Sequence, residues 1–169
     1  MPLNNRETDK GSFTTLLKEK GIYDALRFIN EKSSHRFTAL YAFDGPVLHN
    51  ICLVDKQDSS IRQMNSIDIA HSYCFYVRDS GQKFIVPDSL ADERVAGHPK
   101  QATIQSYCGM PLMNSSHEML GTLCHFDFIP LAYTDAEVRL LELVSPAIVG
   151  WLEDSQMQNR PRQSSNSRS

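Results

Sequence analysis

Apolar residues at Phe13, Leu16 and Leu17, then at Ile22, Ala25, Leu26 and Ile29, recur with helical spacing. Ser12 stands where an N-cap would, and Gly21 separates a short leading helix from a main one. Residues 37–43 and 47–54 are rich in β-branched and aromatic side chains, and the Asp44-Gly45-Pro46 turn between them predicts a hairpin. A polar loop spans 55–65. Residues 67–77 mix apolar and aromatic positions, with Ser66 or Asp68 available to cap a short helix. Residues 83–86 read as a strand stopped by Pro87, and 88–103 as a loop with at most one short helix. Strands 107–113 and 119–126 follow, joined by the polar turn 114–118.

The last helix carries the clearest start signal. Thr134 and Glu137 match the Thr-x-x-Glu capping box, and Val138, Leu141, Val144, Ile148 and Leu152 form one apolar stripe. Pro146 falls inside it and predicts a kink. The element order predicts an α+β fold with a largely antiparallel sheet. Three regions are expected: a flexible N-terminus at 1–11, one domain at 12–155, and a polar tail at 156–169 too poor in apolar residues to order itself.

Composition narrows the function classes. A net charge of −3 and a hydrophobic content of 41% are ordinary globular values, with no drive toward nucleic acid or anionic membrane. No stretch reaches the roughly 20 apolar residues of a membrane span. The polar start lacks the apolar run of a signal peptide, so a cytoplasmic location is expected. The four cysteines, Cys52, Cys74, Cys108 and Cys124, then read as reduced thiols.

Four phrases between residues 72 and 130 carry a resemblance: Phe84-Ile85-Val86-Pro87-Asp88, Asp92-Glu93-Arg94, Ser106-Tyr107-Cys108-Gly109-Met110-Pro111-Leu112 and Leu120-Gly121-Thr122-Leu123-Cys124-His125-Phe126-Asp127. Their order and spacing resemble a GAF domain, the small-molecule-sensing module of signalling proteins. The resemblance implies a central sheet, terminal helices packed together on one face, and short helices and loops forming a ligand cup on the other. It places Cys74, Tyr76, Asp88, Arg94 and Tyr107 about that cup as candidate ligand-binding residues. It implies a non-enzymatic sensory or regulatory module that binds an unknown small-molecule ligand or acts as a homodimeric signalling module toward a partner in trans. No cofactor follows from the residues.

Other chemistries were weighed against this reading. Arg94 among Asp88, Asp92 and Glu93 is either an anion-binding residue or one arm of a loop latch. Cys124-His125 matches the dipeptide that holds linear tetrapyrroles in some GAF domains, but there it lies on a helix and here on a strand. His71 and Cys74 share a helical face, yet no C-x-x-C pair exists and alternation sends Cys124 and His125 to opposite faces, so no metal site is expected. The free methionine-R-sulfoxide reductases, which are GAF-like, suggest a thiol-dependent reductase with Cys74 near one family cysteine. The family's essential thiol has no counterpart between Ala91 and Thr103. A pure interaction module with a self-filled pocket is a third reading. Basic residues Arg160, Arg162 and Arg168 in the tail read as solubilising.

Two expectations concern packing. Leu140, Leu143, Val149 and Trp151 widen the last helix's apolar stripe, which implies either a homodimer on the terminal helices or cover by the N-terminal helix. If Met113 and Met119 flank a simple turn, Cys108 lies opposite Cys124, two buried thiols on one face.

Overall fold

A computed structural model describes residues 2–159, with side chains from 7 to 155. Helices α1 (Pro2–Glu19) and α2 (Ile22–Glu31) lead into the hairpin β1 (Phe37–Asp44) and β2 (Val47–Asp55). After a loop come the short strand β3 (Ile67–Asp68), helix α3 (Cys74–Ser80) and strand β4 (Phe84–Val86). A second hairpin, β5 (Ser106–Met113) and β6 (Met119–Asp127), precedes the long helix α4 (Asp135–Asn159). The strands form one six-stranded antiparallel sheet in the order β3-β2-β1-β6-β5-β4. The predicted α+β class holds.

Local chemistry explains most boundaries. Gly21, at φ 101°, occupies a conformation that side chains rarely tolerate, and it breaks α1 from α2. Two residues, Gly45 and Pro46, close the first hairpin. Proline's φ rules out type I′, so Gly45 at φ 57° supplies the positive φ of a type II′ turn. The capping box forms as predicted: Glu137 N–H donates to Thr134 Oγ1 at 3.1 Å, and Thr134 N–H donates to Glu137 Oε1 at 3.3 Å. At the other end of the helical layer, α1 extends back through residues 2–11, where a flexible arm ending at a Ser12 cap was expected. The last turn of α4 takes up 156–159, and the remainder of the expected tail, with its three arginines, lies outside the described residues.

Alternation along the strands sorts side chains to two faces. Leu40, Cys52, Val54, Cys108, Met110, Leu112 and Leu123 face the helices and pack with Phe13, Leu26, Ile29, Leu141, Val144 and Ile148. Leu140 and Val149 are buried in the same cluster, alongside Phe13 and Leu17 of α1. Half of the surplus apolar width of α4 is therefore covered within one chain, while Leu143 and Trp151 stay half-buried. Among the described residues no helix is long and apolar enough to cross a membrane.

A polar seam runs through this layer. Ser33 Oγ donates to Glu137 Oε2 at 3.0 Å, His35 stacks on Tyr133 at 3.8 Å, and Tyr133 Oη donates to the His125 carbonyl at 2.9 Å. Thr38 Oγ1 lies 2.7 Å from His125 Nδ1 and accepts from Asn30 Nδ2 at 2.9 Å. Burial lowers the affinity of both imidazoles for a proton, bringing His125 to about 3. The seam thus joins α2, α4 and the central strands through hydrogen bonds among buried polar side chains.

The register of the second hairpin corrects the expected cysteine pair. Met113 pairs with Met119, but beyond the bulge Leu112 pairs with Gly121, Cys108 with His125, and Gly109 with Cys124. One extra residue on β6, Leu120, shifts the ladder by one position. Cys108 and Cys124 consequently point to opposite faces. Pairing with only Gly45 and Pro46 between the strands made the first hairpin predictable, whereas the turn at Asn114 hides its bulge from the sequence.

Candidate ligand cup

The other face of the sheet is roofed by α3 and the loops after β4. Two turns position this roof. Asp68 accepts from Ala70 N–H at 2.8 Å and caps a single 3-10 turn, Ile69–His71. Ser72 Oγ then accepts from Cys74 N–H at 3.1 Å, and α3 starts at Cys74 and ends at Gly81, φ 70°. Starting there, α3 sets Cys74 down on the sheet. Between roof and sheet lies a cavity of about 110 Å³, half open to solvent. Tyr41, Tyr73, Tyr107 and Phe126 wall it, Cys74 from the roof and Cys124 from the sheet floor both line it, and Asn65, His71 and Lys100 stand on its lining.

Cys74 is the chemical centre of the cup. Its Sγ lies 3.2 Å from Tyr107 Oη and 3.0 Å from Thr122 Oγ1, and Cys124 lines the same cavity with its own Sγ 3.8 Å from the Ala39 carbonyl. Burial alone would push the Cys74 thiol up. Hydrogen bonds from Cys124, Ser72, Thr122 and Tyr107 outweigh it and bring the group down to about 7. Cys124 and Tyr107 move the other way, well above their usual ranges, because both are buried beside the Cys74 sulfur. They therefore stay protonated, with the Tyr107 phenol beside the Cys74 sulfur and the Cys124 thiol donating to the Ala39 carbonyl. The arrangement can hold one thiolate out of water with several donors aimed at it.

Gly109 makes this geometry possible. A Cβ there would stand 2.2 Å from Tyr107 Oη, so the phenol lies across a position with no side chain on its way to Cys74.

The structure brings together two of the five candidate binding residues, Cys74 and Tyr107, on the cavity wall. Tyr76 instead stacks on Phe84, with ring centroids 4.7 Å apart. Asp88 accepts from Leu90 N–H at 3.2 Å and caps a short 3-10 turn. Arg94 grips Asp92 through Nη2 at 2.6 Å and Nε at 3.0 Å, donates to the Ile85 carbonyl at 2.6 Å, and lies 4.6 Å from the Phe84 ring. None of these three is on the cavity lining; the latch partner of Arg94 is Asp92. The Arg94 guanidinium holds the Asp92 carboxyl below its ordinary value.

Sequence reasoning passed over Tyr41, Thr122, Cys124 and Phe126 as cup residues. Alternation in Thr122-Leu123-Cys124-His125-Phe126 puts three of them on one face, but which face is the cup is decided by the sheet's neighbours. Among the described residues no group of three or more His, Cys, Asp or Glu side chains converges as a metal site would require.

Comparisons with known proteins agree with this architecture. The GAF domain family model matches residues 22–149. The structure is similar to the GAF domain of an Acinetobacter phosphoenolpyruvate-protein phosphotransferase, with a TM-score of 0.76 at 11% identity over 94% of this chain and 98% of that one. It is similar also to the GAF domain of a Coxiella burnetii phosphoenolpyruvate-protein phosphotransferase, at TM-score 0.71 and 8% identity over 91% and 96% of the two chains. A free methionine-R-sulfoxide reductase from Neisseria meningitidis, in complex with its substrate, gives a TM-score of 0.71 at 12% identity over 90% and 91%. At such identities the likeness is one of fold. Among curated proteins none matches the chain in sequence. With the family match spanning most of the sequence and the cup-bearing sheet in place, the chain belongs to the GAF domain family.

Proposed function

We propose that this chain is a non-enzymatic sensory or regulatory module that binds a small molecule in the cup and reports occupancy through its helical layer. The observation that carries the reading is the aromatic-walled cavity between α3 and the sheet. Its volume limits the ligand. An apolar cavity of about 150 Å³ takes a benzene-sized guest, so 110 Å³ accommodates a compact molecule of similar size or smaller. That is well under the few hundred Å³ expected of a small-molecule sensor, so the reading is confined to compact ligands. Lys100 and His71 on the lining offer a polar or anionic end its partners. A cytoplasmic location fits four reduced cysteines. Native mass spectrometry of the purified protein tests the reading: a bound mass is expected, lost in Ile67→Trp, which narrows the mouth. No bound mass, and no change in melting temperature across a panel of small aromatic and carboxylate compounds, would overturn it.

Dimerisation and signalling to a partner in trans are separate parts of the proposal. The apolar argument for a homodimer is weaker now that α1 covers part of α4. Sedimentation at micromolar concentration checks it, with a monomer removing the dimer.

A second reading, a thiol-dependent reductase, draws support from the donor-rich Cys74 and from the fold shared with the Neisseria enzyme. Against it stand the cavity size and the absence of cysteine from 91–103. Consumption of free methionine-R-sulfoxide with a thiol reductant would establish it.

A further inference from the structure

We propose that Cys74 and Cys124 form a peroxide-oxidisable dithiol, with Cys74 the attacking sulfur and Cys124 the resolving one. Both line the same cavity: Cys74 Sγ lies 3.0 Å from Thr122 Oγ1, two residues before Cys124 on the same face of β6, and Cys124 Sγ lies 3.8 Å from the Ala39 carbonyl. They come from distant parts of the chain, one from the roof helix α3 and one from the central strand β6. Cys52 and Cys108 belong instead to the core cluster under the helices, with no opening to the cup.

Three features fit this chemistry. Tyr107 Oη and Thr122 Oγ1, at 3.2 and 3.0 Å, favour the ionised form of Cys74, which is the nucleophile. Its thiol, brought down to about 7, is substantially ionised at neutral pH. The cavity admits a molecule as small as hydrogen peroxide but excludes bulky thiols, so the oxidised sulfur is answered by its neighbour.

The steps balance as follows. The Cys74 thiolate attacks one peroxide oxygen, an S–O bond forms and the O–O bond breaks. The departing hydroxide takes up the proton that Cys74 released on ionising and leaves as water. Cys124 sulfur then attacks the Cys74 sulfenic acid, the S–O bond breaks, and the hydroxyl departs with the Cys124 proton as a second water. Two thiols lose two electrons and two hydrogens, and hydrogen peroxide is reduced to two waters. The product ties the roof of the cup to its floor.

The inference uses the cup's geometry and needs no bound ligand, so it stands or falls separately from the sensory reading. The test treats the whole protein with hydrogen peroxide, quenches, denatures, alkylates free thiols and maps peptides by mass spectrometry. A link between the Cys74 and Cys124 peptides is expected, reversed by dithiothreitol, with Cys52 and Cys108 still alkylated. In Cys124→Ser, checked for folding by circular dichroism, oxidation should stop at a Cys74 sulfenic acid trapped by dimedone. Four alkylatable thiols after a severalfold excess of peroxide would overturn the proposal. So would a link that includes Cys52 or Cys108, or a folded Cys124→Ser without the dimedone adduct.

Discussion

Cys108 and Cys124 sit one register position apart on neighbouring strands, yet their surroundings differ completely. Cys108 lies among Leu112, Leu123 and Met110 under the helices, and burial pushes its thiol up to about 12. Cys124 faces a cavity beside a second sulfur, a phenol and a threonine hydroxyl. One sheet therefore carries two different solvents on its two faces. The helix face packs apolar side chains around a seam of hydrogen-bonded polar groups and serves stability. The cup face instead sets a phenol and a threonine hydroxyl against one sulfur at the edge of a cavity.

The largest effect separating the faces is in thiol reactivity. At pH 7 the ionised fraction of Cys74, at about 7, should exceed that of Cys108, at about 12, by roughly four to five powers of ten. Rates of labelling by a small methanethiosulfonate, resolved by peptide, check this. The Cys74 rate should reach half its maximum near pH 7, and Tyr107→Phe should move that midpoint upward by removing a donor. Equal slow labelling of both thiols would erase the contrast.

Acid should act on the helix face. His125 takes a proton at about 3 when folded and near 6.5 when unfolded, because burial disfavours its charge. Its neutral form therefore costs no stability above pH 6.5. Below that the unfolded chain gains protons first, and stability falls toward pH 3 by up to about 1.4 kcal/mol per pH unit for each such histidine. His35, shifted in the same direction, adds to the slope. Urea melts from pH 7 to 4, compared with His125→Asn, measure it; a flat profile would place the imidazoles in water.

Gly109→Ala should strain the cup and leave the helix face intact. A methyl 2.2 Å from Tyr107 Oη forces the ring away, with a cost of about 1–3 kcal/mol for an overpacked site. The labelling midpoint of Cys74 should rise as in Tyr107→Phe, while Cys108 stays inert. The smallest effect is expected from Thr134→Ala, which removes the capping box at the start of α4 and should cost about 1 kcal/mol. Its Cys74 profile should be unchanged, and a shift would show that the two faces are coupled through the sheet.

Features that depend on near neighbours were legible. The first hairpin, the break at Gly21, the Asp68 cap and the Thr134 capping box each rest on chemistry within a few residues. Residues 2–11 were misread because their helix has no amphipathic pattern to announce it. The family resemblance grouped Tyr76, Asp88 and Arg94 with the cup, but their side chains find partners in Phe84, Leu90 N–H and Asp92.

The sequence by itself determined the order of elements, the alternation that sends adjacent residues to opposite faces, and the presence of four cysteines without a disulfide framework. Only the tertiary structure decided which sulfurs meet. A single bulge residue, Leu120, shifts the β5–β6 ladder by one and parts Cys108 from Cys124. The packing of α3 then brings Cys74, fifty positions earlier in the chain, to the sulfur left facing the cup. Register and docking are set by contacts summed across the whole sheet, and no local stretch of residues contains that sum.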